Sequence, residues 1–177
     1  PRRKPELLSG IEVNESDSIT SGIGEMDRIL GGGMVRGSLI LMGGEPGIGK
    51  STLALQVALA IKERKVLYVS GEESEGQVKL RAKRLKGRND NCFIYNETEL
   101  ENVITQAGTI NPELLIIDSI QTLSSGLLES SAGSVSQVRE CAAMMLRYAK
   151  ETGVPVILIG HITKDGSLAG PKVLEHI

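Results

Sequence analysis

Residues 44–52, GEPGIGKST, combine glycines, a lysine and two hydroxyl side chains in an order suited to binding phosphate. The glycines let backbone N–H groups converge on phosphate oxygens, and Lys50 supplies a point charge between the phosphates. Ser51 is placed to ligate Mg²⁺ and Thr52 to reach an α-phosphate oxygen. The pattern predicts a P-loop for ATP and Mg²⁺, with these nucleotide-binding residues: Gly44, Glu45, Pro46, Gly47, Ile48, Gly49, Lys50, Ser51 and Thr52.

Acidic residues follow two apolar runs further along the chain. Asp118 ends the run ELLIID, where a P-loop protein carries the acid that holds Mg²⁺ through water. In one branch of P-loop ATPases a glutamate directly follows this aspartate, but here Ser119 does. We therefore expect the water-activating carboxylate on a neighbouring strand, after the run KVLYVS. Adjacent loop residues point apart, so we expect one of Glu72 and Glu73 to face the site and the other to face solvent. Glu72 is favoured as the catalytic residue, and two solvated glutamates at a helix start are the alternative.

The segment GHITKDGSLAGPK, residues 160–172, follows the last apolar run. A polar side chain at His161 would lie near the γ-phosphate and could report its presence to the loop that follows. A loop residue without function, in a slack connector, is the alternative. His176 has no comparable context and is interpreted as a surface residue.

Short apolar runs alternate with helical patterns and must position these residues. The runs cover 38–42, 65–70, 92–95, 113–118 and 155–160, and they predict strands buried on both faces. Two helical faces lie between them, one of Leu53, Val57, Ala60 and Ile61, the other of Val135, Val138, Ala142, Met145 and Ala149. The repetition predicts an α/β domain with three layers, α/β/α, and a mainly parallel central sheet.

Composition limits the function classes. The 177 residues are 40% hydrophobic, which suits one domain with a core, and a net charge of −2 excludes a global basic field for nucleic acid. An aromatic share of 2% weakens any model based on base stacking. Cys92 and Cys141 lie in apolar surroundings, so we expect buried free thiols and a cytoplasmic location. No apolar run reaches membrane-spanning length, so no membrane partner is expected.

The opening PRRKPELLSG is a short basic cluster flanked by prolines, which favours a solvated linker over a DNA-binding arm. We place a linker at residues 1–20 and the ATPase domain at 21–177. GPKVLEHI reads as an amphipathic turn without a cap, so the chain is expected to be a piece of a longer protein, truncated at both ends.

Three stretches together resemble RecA-type ATPase cores and, among them, the bacterial RadA (Sms) family. They are ITSGIGEMDRILGGGMVRGSLILMGGEPGIGKSTLALQVA, the pair VSGEES and IIDSIQTL, and GHITKDGSLAGPKVLEH. The resemblance implies a RecA-like fold that hydrolyses ATP, forms hexameric rings and promotes branch migration on single-stranded or branched DNA beside a RecA-type recombinase. It implies catalytic roles for Lys50, Glu72 and His161, a Mg²⁺ shell of Ser51 and Asp118, and DNA contacts by Lys164 and Lys172.

The resemblance also implies a first DNA loop within residues 124–136, which carry no basic residue before Arg139. Members of the family have a four-cysteine zinc motif in a preceding region, and zinc is expected only there. Without the flanking regions, hydrolysis and ring assembly by this piece are expected to be impaired. Three arginines are candidates for an arginine finger: Arg81, Arg84 and Arg88.

Two other functions compete with a DNA-dependent ATPase. A KaiC-like signalling ATPase shares the core and acts through protein partners, but the glycine- and lysine-rich segment after His161 argues against it. A nucleotide switch without hydrolysis is disfavoured by the presence of Glu72, Asp118 and Lys50 together.

Overall fold

Strands and helices alternate along the chain, as the β-α repetition predicts. The computed structural model describes residues 4–12, 18–21, 23–29, 32–44, 49–61, 64–85 and 87–161. Within them the strands are β1 (Ser18–Ile19), β2 (Met34–Val35), β3 (Leu39–Gly44), β4 (Val66–Ser70), β5 (Cys92–Asn96), β6 (Leu114–Asp118) and β7 (Val156–His161). The helices are α1 (Gly24–Ile29), α2 (Lys50–Ala60), α3 (Glu75–Arg84), α4 (Leu100–Ile110) and α5 (Val135–Thr152), with 3-10 turns at Leu8–Gly10 and Ile120–Thr122.

Five of the strands form one parallel sheet in the order β3-β7-β6-β4-β5. Each predicted strand lies within two residues of an observed one. Parallel neighbours need long crossovers, and α2 to α5 provide them. The predicted α/β class with a parallel central sheet is confirmed.

The sheet is buried on both faces, because successive strand residues point to opposite sides. In β6, Leu115 and Ile117 join the core cluster that includes residues of α4 and α5. Leu114 and Ile116 join the second cluster, which includes residues of α2 and α3. Helices therefore cover each face of the sheet, which gives the three predicted layers, α/β/α.

Helix α2 is buried more widely than the predicted face. Its buried residues are Ala54, Leu55, Val57, Ala58 and Leu59, whereas Leu53 and Ala60 are only half-buried. Its cluster also contains Val78 of α3 and the β1–β2 residues Ile19 and Met34. With such neighbours beyond the sheet, the helix has no single apolar stripe.

Helix α5 follows its predicted face except at the start. Val138, Ala142, Met145 and Ala149 are buried, while Val135 is exposed. Ser134 caps this helix by accepting a hydrogen bond from the backbone N–H of Gln137, 3.4 Å away. Val135 thus belongs to the first turn, which projects beyond the core.

Strands β1 and β2 form a separate antiparallel pair, with Ile19 opposite Met34. Both side chains are buried in the core. Ser18 and Ile19 fall within the predicted 1–20 linker. Leu7 and Leu8, earlier in that segment, are exposed.

At the amino end of the sheet, the buried side chain of Asn89 closes the carboxyl terminus of α2. Its Nδ2 donates to the carbonyl oxygens of Ala58, Ile61 and Arg64, at 3.0, 2.8 and 3.1 Å. Its Oδ1 accepts from the backbone N–H of Asn91 at 2.9 Å. The last carbonyls of a helix lack hydrogen-bond donors within the helix, and Asn89 supplies such a donor at the end of α2.

Both cysteines are free, as predicted, but only Cys141 is fully buried; Cys92 is half-buried at the start of β5. Burial raises the pKa of the Cys92 thiol to about 11 and that of Cys141 to about 12. None of the helices in the described ranges is long and apolar enough to cross a membrane.

Candidate active site

The carboxyl ends of four neighbouring strands meet at one edge of the sheet, and the predicted site residues within the described ranges lie along it. Gly44 at the end of β3 pairs in register with His161 at the end of β7. Ser70 at the end of β4 pairs with Asp118 at the end of β6. This edge is where parallel α/β sheets bind ligands.

Helix α2 begins at this edge, with Lys50 as its first residue. Gly49 before it has φ 83°, in the left-handed region that favours glycine. Among the described residues no side chain caps the helix, so its first N–H groups are available to an anion. The predicted contacts of Glu45, Pro46, Gly47 and Ile48 lie outside the described residues and stay predictions.

Lys50 and His161 contact each other across the edge. The Lys50 ammonium donates to the carbonyl oxygen of Gly44, and its Nζ lies 3.3 Å from Nδ1 of His161. Burial lowers the pKa of Lys50, and the negative charge of Asp118 partly offsets this effect. The structure thus brings His161 beside Lys50, the predicted phosphate-binding lysine.

Gln121, in the 3-10 turn after β6, holds the end of β7. Its Oε1 accepts from the backbone N–H of His161 at 3.3 Å. The turn after Asp118 is therefore linked directly to His161.

The Asp118 carboxylate is oriented by a tyrosine from the neighbouring strand. The hydroxyl of Tyr68 donates to Oδ2 of Asp118 at 2.7 Å. Tyr68 is fully buried, and burial, together with the nearby Asp118 charge, raises the pKa of its phenol. The phenol therefore keeps its proton and remains a donor to the carboxylate.

A small cavity of about 80 Å³ lies between these residues. Its lining is polar and comprises Ser51, Ser70, Glu72, Glu73, Asp118, Ser119 and His161. The Ser119 hydroxyl oxygen is buried and has no hydrogen-bond partner among the described residues. The lining therefore presents hydroxyl and carboxylate oxygens toward one small volume.

These oxygens fit Mg²⁺. Magnesium prefers oxygen ligands, keeps several waters and takes one or two protein groups beside substrate phosphates. Ser51 and Asp118 are the residues that would hold it, directly and through water. When bound, the cation would neutralise charge on the phosphates.

Glu72 and Glu73 follow β4, and both line the cavity, but their surroundings differ. Glu73 accepts two hydrogen bonds from Arg81, from Nε to Oε2 at 2.9 Å and from Nη2 to Oε1 at 2.8 Å. Glu72 is exposed and makes no hydrogen bond or ion pair with the other described residues. The carboxylate of Glu72 is thus the one that a water molecule could approach without breaking an ion pair.

Gly71 holds the loop that carries Glu72 and Glu73 close to the end of β6 and the turn that follows it. Its backbone N–H donates to the carbonyl oxygen of Asp118 at 2.9 Å. A Cβ at position 71 would lie 1.9 Å from Oγ1 of Thr122 and 2.4 Å from Cβ of Thr122. Only glycine permits so close an approach, so the loop and the turn after β6 are in direct contact.

The segment 124–136, predicted as a first DNA loop, is organised by the buried side chain of Gln137. Its Nε2 donates to the carbonyl oxygens of Ser125, Leu128 and Ser130, and its Oε1 accepts from the N–H of Ser125. The segment carries no lysine or arginine.

Lys164 and Lys172, the predicted contacts of the second DNA loop, lie outside the described residues.

Comparison with known proteins decides the family. A family model described as an AAA domain matches residues 2–167. The chain belongs to this family. Three relatives described as DNA repair protein RadA match almost all of it: those of Bacillus subtilis (48% identity, 99% of this chain, 39% of the relative), Aquifex aeolicus (50%, 99% and 40%) and Escherichia coli (51%, 98% and 38%). The chain is therefore a RadA-like P-loop ATPase core, as its motifs suggest.

The chain spans about two fifths of the length of these relatives. A solved structure of a KaiC-like protein from the archaeon Pyrococcus horikoshii superposes with a TM-score of 0.69 at 22% identity. The match covers 88% of this chain and 76% of that one. At this identity the likeness concerns the fold, and it confirms the RecA-like α/β core.

Tyr68 and Gln121 are not predicted from the sequence as site residues, and Arg81 is predicted only as an arginine-finger candidate, whereas it pairs with Glu73 of the same chain. Tyr68, Arg81 and Gln121 bind site residues from 50, 8 and 40 positions away along the chain. Arg81 has a local signal, because it lies on the first helix after Glu73. Tyr68 and Gln121 have none, since their contacts depend on which strands are neighbours.

Proposed function

We propose that this chain is the ATPase core of a DNA-dependent motor that acts in recombinational DNA repair. The observation that carries the proposal is that Ser51, Asp118 and Glu72 line one polar cavity at the sheet edge, while Lys50 lines the pocket beside it, which shares Ser51 and His161 with the cavity. The names of its relatives, which cover nearly the whole chain, supply the connection to DNA repair.

The phosphate chain of ATP binds at the start of α2. Backbone N–H groups of the first turn and the Lys50 ammonium neutralise its negative charge. Lys50 now donates to the Gly44 carbonyl and lies beside His161, so a γ-phosphate competes with both for this ammonium. Binding and release of that phosphate thereby change the surroundings of His161.

Glu72 orients the attacking water and takes its proton. Its carboxylate lines the cavity beside Ser51 and Asp118 and is not engaged by an arginine, unlike that of Glu73. Ser51 and Asp118 would hold Mg²⁺, which together with the Lys50 ammonium would counter the negative charge that develops on the phosphoryl oxygens.

His161 passes the phosphate signal to the segment that follows it. In the proposal that segment contacts DNA, with Lys164 and Lys172 bound to backbone phosphates. The complete protein forms a hexameric ring and acts on single-stranded or branched DNA beside a RecA-type recombinase.

The test is the ATPase rate of the full-length protein with and without single-stranded DNA, in Mg²⁺. We expect DNA to stimulate turnover, and Lys164→Ala with Lys172→Ala to weaken DNA binding and flatten its salt dependence. An absence of both stimulation and DNA binding with every nucleotide would overturn the motor. Turnover controlled by a protein partner instead would favour the KaiC-like alternative.

A further inference from the structure

Four side chains form a continuous hydrogen-bonded chain from the metal-binding acid to the loop after β4. The Tyr68 hydroxyl donates to Oδ2 of Asp118 at 2.7 Å. Nη2 of Arg81 donates to that same hydroxyl oxygen at 3.5 Å. Arg81 is also bound through two hydrogen bonds to Glu73. The chain therefore links Asp118 to a residue directly beside Glu72.

Asp118, Tyr68 and Arg81 lie on strands and a helix, and Glu73 lies in the loop after β4. Tyr68 lies in the middle of β4, whose register with β6 places Ser70 opposite Asp118. Arg81 lies on α3, which begins at a capping box formed by Ser74 and Gln77. The distances in the network are thus fixed by the backbone and not by the side chains alone.

We propose that Tyr68 and Arg81 are positioning residues of the ATPase site. Tyr68 fixes the Asp118 carboxylate by donating to Oδ2, and the other oxygen, Oδ1, would be the one left to hold Mg²⁺ through water. Arg81 fixes Glu73 and, with it, the loop that carries Glu72. This inference rests on the proposed ATPase function and adds to it the groups that hold its two acids in place.

Charge around the cavity supports these roles. Three carboxylates, Glu72, Glu73 and Asp118, line one small volume. Arg81 lines the adjoining pocket of about 300 Å³ together with Lys50 and Thr52. A bidentate arginine–carboxylate pair is strong and directional, so Arg81 compensates the Glu73 charge and leaves Glu72 as the available base.

The phenol of Tyr68 supplies a hydrogen bond without a charge. A phenylalanine would fill the same space in the core, so the packing contribution of Tyr68 and its hydroxyl contribution are separable. The change Tyr68→Phe removes the donor to Asp118 and the acceptor of the longer, 3.5 Å hydrogen bond from Arg81. A purely structural tyrosine would tolerate this change with no specific effect on Mg²⁺.

The first experiment measures the affinity of a fluorescent ATP analogue for the full-length protein, in Mg²⁺ and in EDTA. For Tyr68→Phe we expect the EDTA affinity to stay within about twofold, while the Mg²⁺ concentration giving half-maximal tightening rises roughly tenfold. The matched control is Tyr95→Phe, which removes a hydroxyl that donates to the Glu97 carboxylate at 3.0 Å, outside the cavity lining. This control should leave both values unchanged.

Two outcomes are distinguishable. If Tyr68→Phe matches wild type in its Mg²⁺ dependence, the positioning role of Tyr68 is overturned while the ATPase proposal stands. If wild-type protein binds the analogue in neither buffer, the proposed function itself fails. A thermal unfolding curve for each variant separates loss of fold from loss of Mg²⁺ response.

The second experiment tests Arg81 independently of Tyr68. Arg81→Gln and Glu73→Gln should each reduce kcat about tenfold with little change in KM for ATP, and the double variant should be no slower than either single one. Arg81→Lys should recover part of the rate, because a lysine keeps the positive charge but lacks the two parallel N–H donors of the guanidinium group. Independent, multiplying effects of the two changes would contradict a shared role.

Discussion

At the amino end of the sheet the buried amide of Asn89 donates to three backbone carbonyls, whereas at the carboxyl end four side chains bond to one another. The first arrangement saturates the backbone around the end of α2. The second joins Asp118, Tyr68, Arg81 and Glu73 and surrounds a cavity with oxygen atoms.

This difference indicates that the polar groups at the amino end contribute to folding stability, whereas those at the carboxyl end serve the chemistry of the site. Backbone carbonyls cannot exchange partners without opening a helix end, so polar groups that serve them contribute to folding. Side chains that pair with other side chains can rearrange around a ligand. Substitutions at the amino end should therefore lower the free energy of unfolding and leave ATP turnover unchanged. Substitutions at the carboxyl end should lower ATP turnover and leave the free energy of unfolding unchanged.

The largest effect on turnover is expected for Lys50→Ala. Loss of its ammonium removes the charge that faces the phosphates, and hydrolysis should fall roughly 100-fold or more. ATP binding should weaken in equilibrium titration, while the unfolding temperature without nucleotide changes little. A variant that unfolds instead would show that the carboxyl end also carries stability.

The change Glu72→Gln should slow hydrolysis strongly and leave ATP bound, because the amide cannot accept the proton of the attacking water. We expect a reduction of roughly 100-fold in single-turnover hydrolysis. Glu73→Gln is the matched comparison. We expect it to reduce the hydrolysis rate less than Glu72→Gln does, because Glu73 is paired with Arg81. If only Glu73→Gln abolishes hydrolysis, the roles of the two glutamates are reversed.

At the amino end, Asn89→Ala should lower the free energy of unfolding by about 1–3 kcal/mol, because it leaves buried backbone carbonyls without their donor. Chemical denaturation measures the effect, with Asn91→Ala at an exposed position as control. ATPase activity well below the unfolding temperature should stay at the wild-type level. A loss of activity without a loss of stability would remove the distinction between the two ends.

The smallest effect concerns the thiols. Burial raises the pKa of Cys92 to about 11, so at pH 8 roughly one thiol in a thousand is the reactive thiolate. Labelling with a disulfide reagent should be slow in the wild type, and rising pH should accelerate it up to the thiol pKa. Because Cys92 begins β5 three residues after Asn89, Asn89→Ala should hasten its labelling more than Lys50→Ala does.

The sequence predicts local features of this molecule well. The P-loop, the five core strands and the acid at the end of β6 depend on neighbours in the chain, and their patterns identify them. The bond from Tyr68 to Asp118 depends on the β4–β6 register, which no local pattern specifies. Asn89 likewise acts on carbonyls 25 to 31 residues away. Helix α2 differs from its predicted face because several elements cover it.

The contact between Gly71 and Thr122 works as a mechanical stop. Thr122 resists a closer approach of the loop to the turn after β6, and the hydrogen bond from the Gly71 N–H to the Asp118 carbonyl resists separation of the loop from the end of β6. A hydrogen bond opposes tension and a steric contact opposes compression, so together they limit travel in both directions. The loop bearing the two glutamates is thereby seated on the strand end that carries Asp118, and the spacing between the acids is set by the backbone.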